Sequence, residues 1–201
     1  MPRVVDHAVR RQDLATALWR VVRDEGIQHV SVRSVAAAAG MSPSALRHYF
    51  RSQDELLGFA LQAMVTRVRD RILPMLPTLS GRDGAQRLLE QLLPMDADRR
   101  DEVAVYVAFL GRSLADPELT AIRDDAETQS RAAVRRAVEL LAAGGALGHD
   151  LNPDAETDRL YPLVDGLALH GALWPGRYPP AHLRAVLEAH LAELAAGRNQ
   201  A

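Results

Sequence analysis

The sequence contains no cysteine and no lysine, and only 4% of its residues are aromatic. The absence of cysteine excludes disulfide bridges, thiolate zinc sites and a cysteine nucleophile. No apolar run reaches the roughly 18 residues of a membrane span. The segment after Met1 also lacks the apolar core of a signal peptide, so we expect a cytoplasmic protein. With 201 residues, the chain is long enough to bury a sizeable core.

Motifs for catalysis and metal binding are also missing. None of the seven histidines forms a metal-ligand pair such as H-x-x-x-H, and there is no glycine-rich phosphate loop and no G-x-S-x-G. The acidic pairs Asp101-Glu102 and Asp124-Asp125 are sequence neighbours, so on a helix they point to different faces and suit solvation rather than shared-proton chemistry. We therefore predict no catalytic residue, no metal and no cofactor, and an enzyme is the least favoured class.

Charge is distributed unevenly along the chain. Residues 1–51 contain eight arginines and four acidic residues, a net charge of +4, whereas the remainder carries −6. A basic N-terminal end on an acidic body indicates an anionic partner for that end alone.

Apolar residues recur at helical spacing along the whole chain, and no segment shows sustained strand alternation. We predict an all-α protein with helices at residues 9–25, 32–39, 43–49, 52–73, 85–93, 99–115, 117–143, 153–174 and 180–196. Pro162 lies inside the eighth helix and should kink or divide it. We expect an N-terminal domain over residues 1–51 and a C-terminal helical domain over residues 52–201.

The short helices after residue 30 carry clear start signals. Ser31 and Ser42 are predicted N-cap residues, and Pro43 follows at a first helical position, where its missing N–H group costs nothing. Ser52 and Glu55 have the spacing of a capping box, in which each side chain accepts a hydrogen bond from the other residue's backbone N–H group.

Two of these helices joined at Gly40 predict a helix-turn-helix. Ala36 and Ala39 are small enough for the helices to pack closely where they meet. Leu46 and Phe50 supply an apolar anchor on the inner side of the second helix. The exposed start of that helix could then enter a DNA major groove, which is about 12 Å wide.

This pattern resembles the DNA-binding domain of the TetR (tetracycline repressor) family over about residues 8–60. The resemblance is carried by Gly26-Ile27, Val30-Ser31-Val32-Arg33-Ser34-Val35-Ala36, Ala39-Gly40-Met41-Ser42, Leu46, Tyr49-Phe50, Ser52 and Glu55-Leu56-Leu57. The rest of the chain resembles the family's ligand-binding and dimerisation domain in length and helix number. Residues 165–170 resemble the subgroup of the choline-responsive repressor, but we do not carry choline over, because aromatic residues for an ammonium cage are scarce.

The resemblance implies a homodimeric transcriptional regulator that represses genes from a palindromic operator in double-stranded DNA and is released by a small-molecule effector. It implies DNA contacts from residues of the first four helices and their links. These are Arg10, Arg11, Ser31, Arg33, Pro43, Ser44, Ala45, Arg47, His48, Arg51 and Gln53.

Among these residues, Arg33 matches a family position that can reach a base edge, and arginine suits bidentate contact with guanine. Pro43 and Ala45 can offer apolar contact, for example to a thymine methyl group. Two positions depart from the family pattern. Arg47 stands where the family usually has tyrosine, and Gln53 stands where it usually has lysine.

Large or polar side chains of the C-terminal part could line an effector cavity between helices. They are Met64, Arg71, Tyr106, Phe109, Gln129, His170 and Trp174. Residues of these types at helical spacing are also typical of a core, so both interpretations remain open.

The last two predicted helices carry a wide apolar stripe. In the family these helices pair with their copies across a two-fold axis, which implies a dimer interface. Its expected residues are Tyr161, Val164, Leu167, Ala168, Gly171, Leu183, Val186, Leu187, His190, Leu191 and Leu194. The core of a single chain could use the same stripe.

A helical adaptor or protein-interaction module without specific DNA binding is the alternative to a DNA-binding regulator. DNA binding that depends on neither sequence nor salt concentration would favour this alternative.

Overall fold

The computed structural model describes residues 7–114, 116–145 and 152–196, and their regular structure is helical throughout. The α-helices are α1 (His7–Glu25), α2 (Val32–Ala38), α3 (Pro43–Leu46), α4 (Gln53–Ile72), α5 (Gly81–Leu89), α6 (Ala97–Ser113), α7 (Thr120–Ala143), α8 (Pro153–Leu173) and α9 (Pro180–Ala196). The predicted all-α class is confirmed. The end predicted for the sixth helix, residue 115, lies outside the described residues.

The chain divides into two compact units. The first comprises Met1–Met64 and Ala104–Arg123, and the second comprises Val65–Val103 and Asp124–Ala201. Helices α4, α6 and α7 contribute residues to both units. The boundary predicted between residues 51 and 52 falls inside the first unit.

The first unit has a continuous apolar core. Leu14 and Leu18 of α1, Val35 of α2 and Leu46 of α3 are all fully buried in it. Each such side chain contributes about 1.5–3 kcal/mol by leaving water. These buried positions hold α3 against α1 and α2, so the opposite side of α3 is left exposed.

The predicted N-caps of α2 and α3 are confirmed. The hydroxyl of Ser31 accepts a hydrogen bond from the N–H group of Ser34 at 3.1 Å. The hydroxyl of Ser42 accepts from the N–H group of Ala45 at 3.1 Å. Gly40 ends α2 with a φ of 65°, a conformation that glycine adopts without a Cβ clash.

The third helix is shorter than predicted. It ends at Leu46, and the next hydrogen bonds join the N–H groups of His48 and Tyr49 to carbonyls three residues earlier, at 3.3 and 2.9 Å. The second turn is therefore wound more tightly than an α-helix.

The reciprocal capping box at the start of α4 is half correct. Glu55 donates its N–H group to the hydroxyl of Ser52 at 3.0 Å. Its carboxylate, however, accepts from the N–H group of Arg51 at 2.6 Å, one residue before the expected donor.

Helix α8 runs unbroken through Pro162, so the predicted possibility of a division is wrong. Proline removes the hydrogen bond to the carbonyl of Asp158, four residues earlier. Both residues are exposed, so water can solvate that carbonyl and the helix can continue.

In the second unit, α9 contacts α5 and α8. The four leucines Leu183, Leu187, Leu191 and Leu194 are fully buried within the single chain. Val164, Leu167 and Ala168 of α8 are buried as well. The four leucines therefore belong to the core of the single chain and expose no surface to a partner, against their assignment to a dimer interface. Val164, Leu167 and Ala168 keep 2%, 8% and 7% of their surface, so their place in an interface stays a prediction.

Gly171 was also expected at the interface, and it too packs inside the chain. A Cβ at this position would lie 2.6 Å from Leu183 and 2.7 Å from Pro94. Its small size serves close packing within the second unit. Tyr161, Val186 and His190 are half-buried and keep part of their surface.

Candidate nucleic-acid interface

The outer side of α3 and of the turn after it presents polar and small side chains. Pro43, Ser44, Arg47 and His48 are exposed, whereas Ala45 is half-buried. The anchor of this element, Leu46, is fully buried. The short helix thus offers its first residues outward, as contact with base edges in a major groove requires.

Four of the arginines that were predicted to contact DNA are exposed. They are Arg11, Arg33, Arg47 and Arg51. Within the described residues, no hydrogen bond or ion pair holds their side chains. Unpaired guanidinium groups can bind phosphate or guanine without first breaking an internal contact.

Two other predicted contact residues are more constrained. The hydroxyl of Ser31 is engaged in capping α2 and also lies 3.0 Å from the hydroxyl of Ser34. Arg10 is half-buried, and its Nε is buried without a hydrogen-bond partner among the described residues.

Gln53 is exposed, but its side chain is held by a hydrogen bond within the first unit. Its side-chain Nε2 donates to the backbone carbonyl of Val30 at 2.6 Å. The neighbouring Asp54 accepts two hydrogen bonds from Arg112, from Nε and Nη2, both at 2.9 Å. The first turn of α4 is therefore attached to Val30, the residue before the N-cap of α2, and to the last turn of α6.

An open groove of about 550 Å³ lies between α1 and α2, and no pattern in the sequence predicts it. Arg20 and Arg33 face it together with Asp24 and Glu25, and Arg20 donates to the carbonyl of Ala38 at 3.1 Å. The groove arises from the packing of two helices, which residue spacing does not record.

The residues predicted to line an effector cavity fall in both units. Met64, Tyr106 and Phe109 belong to the first unit, where Phe109 is fully buried. Arg71, Gln129, His170 and Trp174 belong to the second.

Arg71 is the most strongly held of this set. Its guanidinium donates to both carboxylate oxygens of Glu102, at 2.9 and 2.7 Å, and to the carbonyl of Gln91 at 3.0 Å. These hydrogen bonds to Glu102 raise the pKa of Arg71 although burial opposes the shift. Glu102 is 3% exposed, so it is a buried carboxylate neutralised by arginine.

The other members of the set in the second unit lie at the surface. Gln129 is exposed and donates to Asp125 at 2.8 Å. His170 and Trp174 are exposed, and the His170 ring centroid lies 5.2 Å from that of Trp174 and 5.2 Å from that of Tyr178.

No group of three or more metal-ligating side chains occurs in the described part of the chain. Helices in the same residue ranges are too short or too polar to cross a membrane.

A helix-turn-helix with exposed arginines that have no partner among the described residues is typical of a DNA-binding regulator. Residues 14–58 match the family of bacterial regulatory proteins called tetR, and residues 81–196 match the BetI-type transcriptional repressor C-terminal family. The chain belongs to the TetR family of transcriptional regulators, as the sequence resemblance predicted. Members of this family are not enzymes, which confirms the predicted class.

Individual relatives agree with this membership. The helix-turn-helix transcriptional regulator PksA of Bacillus subtilis is 33% identical over 95% of this chain and 92% of its own length. A crystal structure of a transcriptional regulator from Rhodococcus sp. Rha1 is 30% identical, has a TM-score of 0.76, and covers 95% of this chain and 98% of that one.

A third comparison concerns the fold. A transcriptional regulator from Saccharomonospora viridis, solved in complex with choline, is 24% identical with a TM-score of 0.79. The match covers 92% of this chain and 96% of that chain.

Proposed function

We propose that the protein is a cytoplasmic repressor that binds a palindromic operator as a homodimer and is released by a small-molecule effector. The observation that carries the proposal is the exposed outer side of the helix-turn-helix, where the described residues offer Arg33 and Arg47 no hydrogen bond or ion pair. Simple two-half-site binding places the two recognition helices about 34–36 Å apart, or a multiple of this distance.

Each predicted DNA-contacting residue of the first three helices and their links has a proposed role. Arg33 reads guanine, and Pro43, Ser44 and Ala45 contact base edges at the start of α3. Arg11, Arg47, His48 and Arg51 contact phosphate, where each arginine releases counterions. Arg10 and Ser31 also contact the DNA backbone.

We propose a dimer interface on the outer side of α8 rather than on its buried side. Pro162, Gly166, Leu169 and Leu173 follow one another at intervals of four, three and four residues, and all keep exposed surface. Leu169 and Leu173 are 38% and 50% exposed, an arrangement that an apolar partner surface would cover. Tyr161 of α8 and the α9 residues Val186 and His190 are half-buried, and we propose that they extend this interface.

The effector proposal centres on the second unit. Arg71 has a buried Nε without a partner among the described residues, so it can donate to a polar effector. Choline, present in the Saccharomonospora viridis structure, is a suitable first compound to test. Effector binding should weaken operator binding about 5–150-fold, the usual range of allosteric coupling.

Fluorescence anisotropy with DNA from immediately upstream of the protein's own gene tests the proposal. A shuffled duplex of the same composition is the control, and both are measured at two salt concentrations. We expect at least about a thousandfold preference for the upstream duplex and weaker binding at higher salt. Equal, salt-independent binding to both duplexes would instead favour a helical adaptor.

A further inference from the structure

The first turn of α4 is hydrogen-bonded to the backbone just before α2, the helix that carries Arg33. Gln53 donates its amide N–H to the carbonyl of Val30, and this 2.6 Å bond joins residues that are 23 positions apart. Val30 is buried, so the carbonyl and its donor meet at the edge of the apolar core.

The bonded carbonyl lies next to the start of α2. Val30 directly precedes Ser31, the N-cap of α2. Ser31 and Ser34 bond each other reciprocally, and the Ser34 hydroxyl also donates to the carbonyl of His29 at 2.7 Å. The backbone from His29 to Ser34 is therefore a tightly bonded segment, and a force on Val30 acts on all of it.

Arg33 projects from this segment. It is exposed, and within the described residues neither a hydrogen bond nor an ion pair fixes its side chain. Its placement relative to DNA must therefore come from the backbone that carries it. A shift of about 1 Å in that backbone is enough to spoil bidentate hydrogen-bond geometry.

The other end of the bond is also fixed. Asp54 is paired with Arg112 through two hydrogen bonds of 2.9 Å, and Glu55 accepts from the N–H group of Arg51 at 2.6 Å. Gln53 thus starts from an anchored helical turn and not from a loose loop, so its bond to Val30 can transmit position.

We propose that Gln53 is a positioning residue for base selection: by holding the Val30 carbonyl it sets the place of Arg33 in the DNA groove. Gln53 thereby acts through the protein backbone and not through a contact of its own with a base. This inference rests on the proposed DNA-binding function.

The test uses the substitution Gln53→Met, which keeps the length of the side chain and removes the donor. Gln28→Met is the matched control in the same unit. Among the described residues, the side chain of Gln28 donates to the nearby carbonyl of Glu25, at 3.3 Å, and to no distant element. Wild type and both variants are each incubated with a pool of randomised duplexes, and the bound fraction is sequenced. The motif selected by the wild type is then titrated with single-base changes.

We expect Gln53→Met to lose about tenfold in affinity for the wild-type motif, with the discrimination lost mainly at the base pair that Arg33→Ala also affects. In the Arg33→Ala background, Gln53→Met should have little further effect on binding. Gln28→Met should keep the wild-type base profile.

Three outcomes would overturn the inference. A loss that is uniform over all duplexes and additive with Arg33→Ala would make Gln53 a phosphate contact. A lower melting temperature with an unchanged base profile, measured well below that temperature, would make it a purely structural residue. A wild-type chain that selects no motif would remove the proposed function itself, and this result is distinct from the other two.

Discussion

The helix-turn-helix of the first unit and the helices of the second unit differ in how they use charge and apolar surface. In the helix-turn-helix, Arg33 and Arg47 are exposed and have no hydrogen bond or ion pair among the described residues, while the apolar side chains Val35 and Leu46 are buried. In the second, Arg71 is tied to the buried Glu102, while Leu169 and Leu173 are exposed. Residues that bind DNA are charged, so they can be distinguished in a sequence from core residues. Residues that bind another protein chain are often apolar, so in a sequence they look the same as core residues.

The first prediction separates the two apolar sides of the α8–α9 pair. Leu187→Arg places a charge in the core of the chain and should abolish cooperative folding, because an unpaired buried charge costs several kcal/mol. Leu173→Arg should leave the melting temperature nearly unchanged and convert the proposed dimer to a monomer. Thermal unfolding and light scattering measure the two effects, and a folded Leu187→Arg variant or a dimeric Leu173→Arg variant would contradict the assignment.

The second prediction concerns the buried charge. Arg71→Met leaves the carboxylate of Glu102 buried beside Arg67 alone, at 3.5 Å, and should lower the free energy of unfolding by about 3–5 kcal/mol. The double variant Arg71→Met with Glu102→Leu should recover most of that loss, because two apolar side chains need no partner. Denaturant titration measures both, and equal stability of the single and double variants would count against a desolvated ion pair.

The third prediction concerns an exposed charge of the first unit. Arg33→Ala should weaken operator binding by about 1–3 kcal/mol and relax specificity at one base pair per half-site. The stability of the free protein should change by less than about 0.5 kcal/mol, as is usual at the surface. A uniform loss of affinity across all duplexes would make Arg33 a phosphate contact.

The smallest expected effect is a pH dependence in the second unit. Burial alone would raise the pKa of Glu90, but hydrogen bonds from Arg184 and Gln86 outweigh it and the pKa lies below its ordinary 4.5. This stabilisation is therefore present above pH 4.5 and is lost as the pH falls through the lower pKa of the folded state.

Arg184→Met is the matched variant, because it removes the 2.9 Å hydrogen bond to Glu90. We expect its unfolding free energy to fall less steeply on acidification than that of the wild type. Identical acid profiles for the two proteins would show that this pair does not contribute.

The local signals in the sequence predicted the first unit well for a physical reason. Ser31 and Ser42 satisfy helix N–H groups within three residues, so the relevant energy is encoded locally. The bond from Gln53 to Val30 spans 23 residues and depends on how helices pack. The family position alone therefore predicted only a DNA contact for Gln53.

The α8–α9 pair shows the limit of apolar periodicity. Leu183 and Leu187 have the spacing of a buried stripe, but spacing does not state whether the same chain or a second copy buries it. Leu169 and Leu173 lie on the outer side of α8, where we propose the interface. In the sequence they do not stand out, because isolated apolar residues on helices are common at surfaces. The complete burial of Leu183 and Leu187 within one chain, together with the packing of Gly171 against Leu183 and Pro94, shows which side faces inward.

The mass of the protein–DNA complex, measured by light scattering on the duplex that the wild type prefers, tests the central claim most directly. The account predicts two chains of 22.0 kDa per duplex, with no complex on the shuffled duplex at the same salt concentration. One chain per duplex, or a complex of equal mass on both duplexes, would contradict a dimeric, sequence-specific regulator.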